Sequence, residues 1–181
     1  MKVALLLANG FEEIEALTPL DMLRRAKVTT DTVGIGGNII TGSHGIKVFT
    51  DTTDALACPD DYDAVILPGG MPGATNLDAS EFTDLILKTV NKKGGLIAAI
   101  CAAPLVLGRR GMLVGKNATC YPGFENELVG ASCQDTAVVC DGNLITAKGM
   151  GVALDFAKAI VSALCGDEAT DALSRAIMEK N

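Results

Sequence analysis

A cysteine at the junction of an apolar run and a helical segment is the residue in this chain best suited to chemistry. The run from Leu96 to Leu107 predicts a buried strand that ends near Cys101, followed by residues that suit a helix. A thiol at such a strand-to-helix turn projects into the crevice at the carboxyl edge of a parallel sheet. Backbone N–H groups and the helix dipole lower a thiol pKa there, so Cys101 is a candidate thiolate. The alternative for a cysteine in an apolar run is a small buried hydrophobe.

Three glutamates follow the first predicted strand and offer a partner for the thiol. These residues are at the start of the next predicted helix: Glu12, Glu13 and Glu15. Acidic side chains there also stabilise the positive end of the helix dipole, so the sequence alone does not show which one pairs with the thiol. We choose Glu15. A carboxyl group buried against an apolar wall and a thiolate has a raised pKa, so Glu15 would stay protonated, donate a hydrogen bond to sulfur and act as general acid/base.

Two adjacent glycines end another predicted buried strand, which runs from Asp63 to Leu67. Gly69 and Gly70 allow close approach of the backbone. Their amides, together with that of Ala102, form a candidate oxyanion hole. An ordinary strand-terminating turn is the alternative for this glycine pair.

The residues that are missing exclude several kinds of cysteine chemistry. A Cys–His hydrolase needs an imidazole beside the thiol, but Ala102 follows the cysteine, and the only histidine, His44, lies in a hairpin predicted over 39–50. The sequence contains no Cys-x-x-Cys, Gly-x-Gly-x-x-Gly or P-loop pattern, so a zinc site, a thioredoxin-like pair and a nucleotide site have no support. We therefore expect no organic cofactor and no metal.

Strand and helix patterns alternate along the chain with short loops between them, and this order positions the candidate residues. The alternation predicts a doubly wound α/β sandwich around a mostly parallel sheet, built as a single domain over residues 1–181. The turns after Ala8, Leu67 and Ile100 should meet at one edge of that sheet. A second hairpin is predicted at Asp141-Gly142.

Composition limits the partners and the compartment. The net charge of −7 and the isoelectric point near 4.6 argue against nucleic acid and against an anionic membrane as partners. A small, electrophilic molecule is the more natural ligand. The chain shows no signal-peptide pattern and no apolar stretch long enough to span a membrane. Its six cysteines are widely spaced, so we expect reduced thiols and a cytoplasmic protein.

Four segments in order resemble the ThiJ/PfpI family, in its DJ-one branch. They are the early segment 10–16 (GFEEIEA), the strand and turn 63–70 (DAVILPGG), the cysteine turn 98–104 (AAICAAP) and the late segment 146–149 (TAKG). Several motifs in the right order are far more specific than any one of them, and the likeness extends over nearly the whole chain.

The resemblance implies a flavodoxin-like three-layer α/β/α sandwich of the class I glutamine amidotransferase type, usually a homodimer, with Glu15 paired to Cys101. The family includes glutathione-independent glyoxalases, reported protein deglycases, oxidation sensors, chaperones and peptidases. Peptidase-like members typically carry histidine directly after the cysteine, where this chain has Ala102. Two further departures are Tyr121, where the branch often has histidine, and His44, where some relatives have arginine. The phenol of Tyr121 can still donate a hydrogen bond to a substrate.

The leading hypothesis is an enzyme that acts on methylglyoxal or related reactive carbonyl compounds. Cys101 would form a hemithioacetal, the amides of Gly70 and Ala102 would stabilise the oxyanion, and Glu15 would move a proton between carbons. The second hypothesis is a redox sensor or chaperone that works by oxidation of Cys101. A binding scaffold without chemistry is the third.

Overall fold

A sheet of seven strands forms the centre of the structure, a computed structural model that describes residues 1–179. The strand order is β10-β11-β7-β6-β1-β2-β5; all neighbours are parallel except β10, which pairs antiparallel with β11. The eleven strands in the described residues are β1 (Lys2–Leu7), β2 (Thr29–Gly34), β3 (Ile39–Thr41), β4 (Lys47–Phe49), β5 (Thr52–Thr53), β6 (Ala64–Leu67), β7 (Leu96–Ile100), β8 (Asn117–Ala118), β9 (Ser132–Cys133), β10 (Val138–Asp141) and β11 (Leu144–Ala147).

Helices cover both faces of the sheet and give three layers. The helices are α1 (Glu13–Arg25), α2 (Gly73–Asp78), α3 (Glu81–Lys92), α4 (Pro104–Arg109), α5 (Ala153–Cys165) and α6 (Asp167–Ala176). One core cluster joins the sheet to α2, α3 and α4, and the other joins it to α1, α5 and α6. The central strands are apolar on both faces because both faces are covered. The predicted α/β/α sandwich with a mostly parallel sheet is therefore confirmed.

The reversal in strand order places the candidate site. From β1 the chain first adds β2 on one side and later adds β6 and β7 on the other. Ligand crevices of open parallel sheets lie at the carboxyl ends of the strands, at such a reversal. The residues that follow β1, β6 and β7 therefore share one edge, as the sequence predicts.

Both predicted hairpins are present, and one predicted loop is helical. Strands β3 and β4 pair antiparallel within 39–50, and β10 and β11 pair on either side of the turn at Gly142. Pro72 and Gly73 are residue types that predict a longer loop after Gly70, but the structure begins α2 at Gly73. The reason is tertiary, because the short helix buries Ala74 and Leu77 in the core. No helix among residues 1–179 is long and apolar enough to cross a membrane.

Candidate active site

Cys101 directly follows β7 and adopts a backbone conformation that non-glycine residues rarely take. Its φ angle is +65°, in the left-handed region where a Cβ atom costs free energy. Two backbone hydrogen bonds hold this turn: the Cys101 N–H donates to the Ala147 carbonyl, and the Tyr121 N–H donates to the Cys101 carbonyl, both at 2.9 Å. The thiol is partly buried and contacts both core clusters. These neighbouring segments therefore hold the Cys101 thiol at a sharp turn, the elbow after β7.

Glu15 reaches the same point from the first turn of α1. The residue is 1% exposed. Its own N–H donates to Glu12 Oε2 at 2.8 Å, which caps the helix and fixes its start. The carboxylate accepts hydrogen bonds from the N–H groups of Gly69, at 2.9 Å, and of Met150, and it hydrogen bonds to the Cys101 thiol. Glu15 is thus the acid that the structure brings to Cys101.

Gly69 allows the carboxyl and the thiol to meet. A Cβ atom at this position would lie 2.6 Å from Cys101 Cβ and 2.6 Å from Glu15 Oε2, closer than real Cβ contacts come. The position of Gly69 also corrects one prediction. Its N–H donates to Glu15, so this amide holds the acid and is not free to bind a substrate oxyanion.

Gly70 and Ala102 supply the amides that face the sulfur. Both backbone N–H groups donate towards Cys101 Sγ from opposite turns. Gly70 has a φ of +84°, and a Cβ there would lie 2.4 Å from the Glu12 N atom, so the turn requires glycine. These two donors remain candidates for stabilising negative charge on sulfur or on an atom bonded to it.

The pKa of Glu15 shifts in the direction that the sequence predicts, but the pKa of Cys101 does not. Burial raises the pKa of Glu15 to about 7, in the predicted direction. Burial also raises the pKa of Cys101, to about 12, and the negative charge of Glu15 adds to the increase. The predicted lowering of the thiol pKa is wrong, because these two effects outweigh the Gly70 and Ala102 amides. Glu15 is therefore the group placed to exchange a proton with the Cys101 thiol.

The other two glutamates have structural roles. Glu12 caps α1, and Glu13 accepts hydrogen bonds from the His44 N–H at 2.8 Å and from Ile46, and lies 2.9 Å from His44 Nδ1. Ligand atoms of Glu12, Glu13 and His44 lie within 4.8 Å of one another, but these hydrogen bonds already engage the carboxylates. His44 is largely exposed in the β3–β4 hairpin, as predicted, and pairs with Glu13. Its pKa is raised, chiefly by the hydrogen bond with Glu13.

Comparison with known proteins identifies the family. The sequence pattern of the DJ-1/PfpI family matches residues 1–163. The chain belongs to the DJ-1/PfpI family. This confirms the resemblance that the four sequence segments indicate.

DJ-1/PfpI relatives align over most of the chain. Protein dj-1beta of Drosophila melanogaster is 38% identical over 176 residues, which cover 96% of this chain and 94% of the relative. A Pyrococcus horikoshii protein named deglycase PH1704 is 32% identical and covers 82% of this chain and 90% of its own. The structure of oxidized Toxoplasma gondii DJ-1 has a TM-score of 0.93 at 31% identity and covers 99% of each chain. The DJ-1/PfpI fold is therefore present along the whole described chain.

The sequence does not predict two residues that lie beside Glu15 in this DJ-1/PfpI chain. Met150 donates its backbone N–H to Glu15, and Gly149 leaves room beside it. A Cβ on Gly149 would lie 3.3 Å from Tyr121 Cδ2 and 3.8 Å from Glu15 Oε1. The half-exposed Tyr121 ring therefore stands near the acid at the mouth of the site. The available signal is the pair of glycines on either side of Met150, Gly149 and Gly151, because glycine permits close approach of the backbone.

Proposed function

We propose that this protein is a cofactor-free enzyme that converts methylglyoxal and related α-oxoaldehydes to 2-hydroxy acids. Cys101 is the nucleophile and Glu15 the general acid/base. The observation that carries the proposal is the hydrogen bond between the buried Glu15 carboxyl and the Cys101 thiol, with two backbone amides facing the sulfur. Catalysis of this kind needs a nucleophile, a positioned proton carrier and donors for an oxyanion, and the three lie together here.

The first step joins the thiol to the aldehyde carbon. The ionised Glu15 carboxylate accepts the thiol proton as sulfur attacks, since it hydrogen bonds directly to the thiol. The aldehyde oxygen takes the electron pair of the C=O bond and then the proton held by Glu15, which gives a hemithioacetal and restores the Glu15 carboxylate. The amides of Gly70 and Ala102 face this region and would stabilise the developing oxyanion.

The second step moves hydrogen between the two substrate carbons. The Glu15 carboxylate removes the proton from the carbon bonded to sulfur, and the electron pair forms an enediol. Return of that proton to the neighbouring carbon gives a thioester of the 2-hydroxy acid. Water then cleaves the carbon–sulfur bond, which releases lactate from methylglyoxal and restores the Cys101 thiol. Atoms and electrons balance with water as the only co-reactant.

The same groups suit a deglycase reaction on adducts that methylglyoxal forms with thiols and amines. The name of the Pyrococcus horikoshii relative favours this variant. Such adducts release free aldehyde reversibly, so the two substrates can be separated by initial rates. If the rate with a preformed adduct follows only the free-aldehyde concentration, free aldehyde is the substrate.

Tyr121 is proposed as a substrate contact at the mouth of the site. Its ring packs beside Gly149 and is 51% exposed, so its hydroxyl is available to a ligand. Tyr121→Phe should raise KM and leave kcat nearly unchanged, because the contact orients substrate but moves no proton. An unchanged KM would remove Tyr121 from the site.

A redox sensor is the second candidate, and two observations favour it. A relative 31% identical has been solved in a form described as oxidized. In this chain a protonated Glu15 and the amides of Gly70 and Ala102 could all donate to oxygen atoms on Cys101. Peroxide titration with mass spectrometry distinguishes the outcomes: Cys101 must be the first of the six cysteines to retain added oxygen, and earlier stable oxygen addition at another thiol removes this candidate.

We also propose that the protein forms a homodimer in the cytoplasm. An open apolar groove of about 570 Å³ runs beside α1, and its lining includes Ile14, Leu17, Ile46 and Leu154. Ile14 and Ile46 are each about half exposed, so burial against a second copy would remove apolar surface from water. A reducing compartment suits a thiol nucleophile, since Cys101 must stay reduced to react.

A further inference from the structure

Two cysteines outside the candidate active site line one cavity. Cys120 is buried and Cys133 is exposed, and both border a cavity of about 270 Å³. Their sulfur atoms contact adjacent residues of one turn. The Phe124 N–H donates towards Cys120 Sγ, and Cys133 Sγ lies 3.8 Å from the Glu125 carbonyl oxygen. The two thiols therefore approach each other across a single turn.

The pairing of β8 with β9 places Cys120 and Cys133 near each other as free thiols. Strands β8 and β9 run parallel, with Ala118 opposite Cys133, and the Gln134 N–H donates to the Ala118 carbonyl at 2.8 Å. Cys120 lies two residues beyond Ala118, just past the end of β8, so its Cα is displaced diagonally from that of Cys133. Disulfides join Cα atoms up to about 7 Å apart. Bond formation would therefore draw the short, exposed β9 towards the buried Cys120.

We propose that Cys120 and Cys133 are a redox-active dithiol that peroxide oxidises to an intramolecular disulfide. The exposed Cys133 thiolate attacks a peroxide oxygen, which breaks the O–O bond and leaves a sulfenic acid and water. Cys120 sulfur then attacks the Cys133 sulfur, the S–O bond breaks, and a second water leaves. Two thiols lose two hydrogens in total, and one hydrogen peroxide becomes two waters.

The order of the two cysteines follows from their surroundings. Cys120 is buried, and burial raises its pKa to about 11, so this thiol stays protonated and is the less reactive of the two towards peroxide. Cys133 is exposed at the mouth of the cavity, so peroxide meets it first. Cys120 is then the nearby resolving thiol. Cys58, Cys140 and Cys165 do not line this cavity.

The dithiol also connects to the turn that holds the active-site cysteine. Tyr121 directly follows Cys120, and its N–H donates to the Cys101 carbonyl at 2.9 Å. A disulfide at Cys120 would therefore restrain the segment that supports Cys101. The dithiol itself needs no chemistry at Cys101, so its oxidation and the proposed carbonyl chemistry can be tested separately.

Peptide mapping after peroxide treatment tests the proposal. Trypsin leaves the segment 117–148 intact, with Cys120, Cys133 and Cys140 in one fragment, and a glutamyl endopeptidase then cuts between the first two, after Glu125 and Glu127. In a Cys140→Ser background, free thiols are alkylated and the protein is digested without reduction. We expect the two halves of the fragment to remain joined and to be two hydrogens lighter than their sum.

Matched variants decide the outcome. Cys133→Ser, at an exposed position, and Cys120→Ser should each abolish the joined fragments, whereas Cys101→Ser should retain them. A non-reducing gel must show that the product stays within one chain. Oxygen added to Cys133 while Cys120 remains open to alkylation after unfolding would overturn the proposal. Joined fragments that occur only in covalent dimers would overturn it as well.

Discussion

The carboxyl group of Glu15 hydrogen bonds to the thiol of Cys101, and this contact joins the first turn of α1 to the elbow after β7. The two groups titrate as a pair. A thiol with a carboxylate, and a thiolate with a carboxylic acid, hold the same number of protons. One proton can therefore move within the pair as substrate arrives, and that exchange is the basis of the proposed reaction.

The pH dependence of turnover follows from the pKa of Glu15. The acid must be ionised to accept the thiol proton, and its pKa is about 7. We expect kcat/KM for methylglyoxal to rise with pH and to level off above a pKa near 7. A profile that falls through neutrality would mean that the protonated acid is the active form, and would contradict the assigned first step.

The raised pKa of Glu15 should make the folded protein less stable as pH rises. The folded-state pKa of about 7 exceeds the ordinary value of 4.5, so the folded protein binds more protons than the unfolded chain between these values. Stability is therefore full below the lower value and decreases as pH rises to the upper one. Glu15→Gln removes this cost and should raise the free energy of unfolding by about 2 kcal/mol more at pH 8 than at pH 5.

Urea denaturation of the Glu15→Gln variant at the two pH values provides the measurement. The exposed Glu81 offers the matched control: Glu81→Gln should change the unfolding free energy equally at both. A Glu15→Gln effect that does not depend on pH would show that the buried carboxyl is not perturbed in the folded protein.

Gly69→Ala tests the close approach of the acid and the thiol. The added Cβ would lie 2.6 Å from both Cys101 Cβ and Glu15 Oε2, so one of the two groups must move. We expect turnover to fall by on the order of 10²-fold, as misplaced catalytic groups do, with a loss of roughly 1–3 kcal/mol in stability from overpacking. Gly37→Ala is the control, because nothing lies within 4 Å of its added Cβ. Equal activity in the two variants would contradict the proposed geometry.

Ile14→Asp tests the proposed homodimer. The side chain borders the apolar groove beside α1, and a charge there would oppose burial against a second copy. Light scattering coupled to gel filtration should give a dimer mass for the wild type and a monomer mass for the variant. Leu56→Asp is the control, since Leu56 is 80% exposed and does not line the groove. A monomeric wild type would refute this part of the proposal.

The sequence predicts the fold and the cysteine elbow well because both depend on local patterns. The run that forms β7 is apolar on both faces, and Cys101 is the residue at its end. The chain order of strands and helices then determines which turns share an edge. For these features the physical signal is contained in short segments of chain.

The choice among the three early glutamates depends on the helix phase, which the residues alone do not give. Successive side chains on a helix point in directions about 100° apart, so a shift of the helix start by one residue would turn a different acid towards Cys101. The Glu12 cap fixes that start. The family resemblance selects Glu15 because it implies which acid of the early segment pairs with the cysteine.

The raised pKa of the Cys101 thiol and the amides that bind Glu15 could not be predicted because they depend on long-range packing. Glu15 accepts hydrogen bonds from the N–H groups of Gly69 and Met150, which belong to segments distant in sequence. The raised pKa of Cys101 arises from burial and from Glu15 together. No local pattern reports either quantity.

The most direct test measures lactate formed from methylglyoxal without glutathione by the wild type and by three variants. Cys101→Ser should lower lactate formation to the background rate, and Glu15→Gln should lower kcat by on the order of 10²–10⁴-fold. Cys140→Ser, at an exposed cysteine away from the elbow, should match the wild type. Wild-type turnover no faster than that of Cys101→Ser would contradict the assignment of this chain as a Cys101-dependent enzyme for reactive carbonyl compounds.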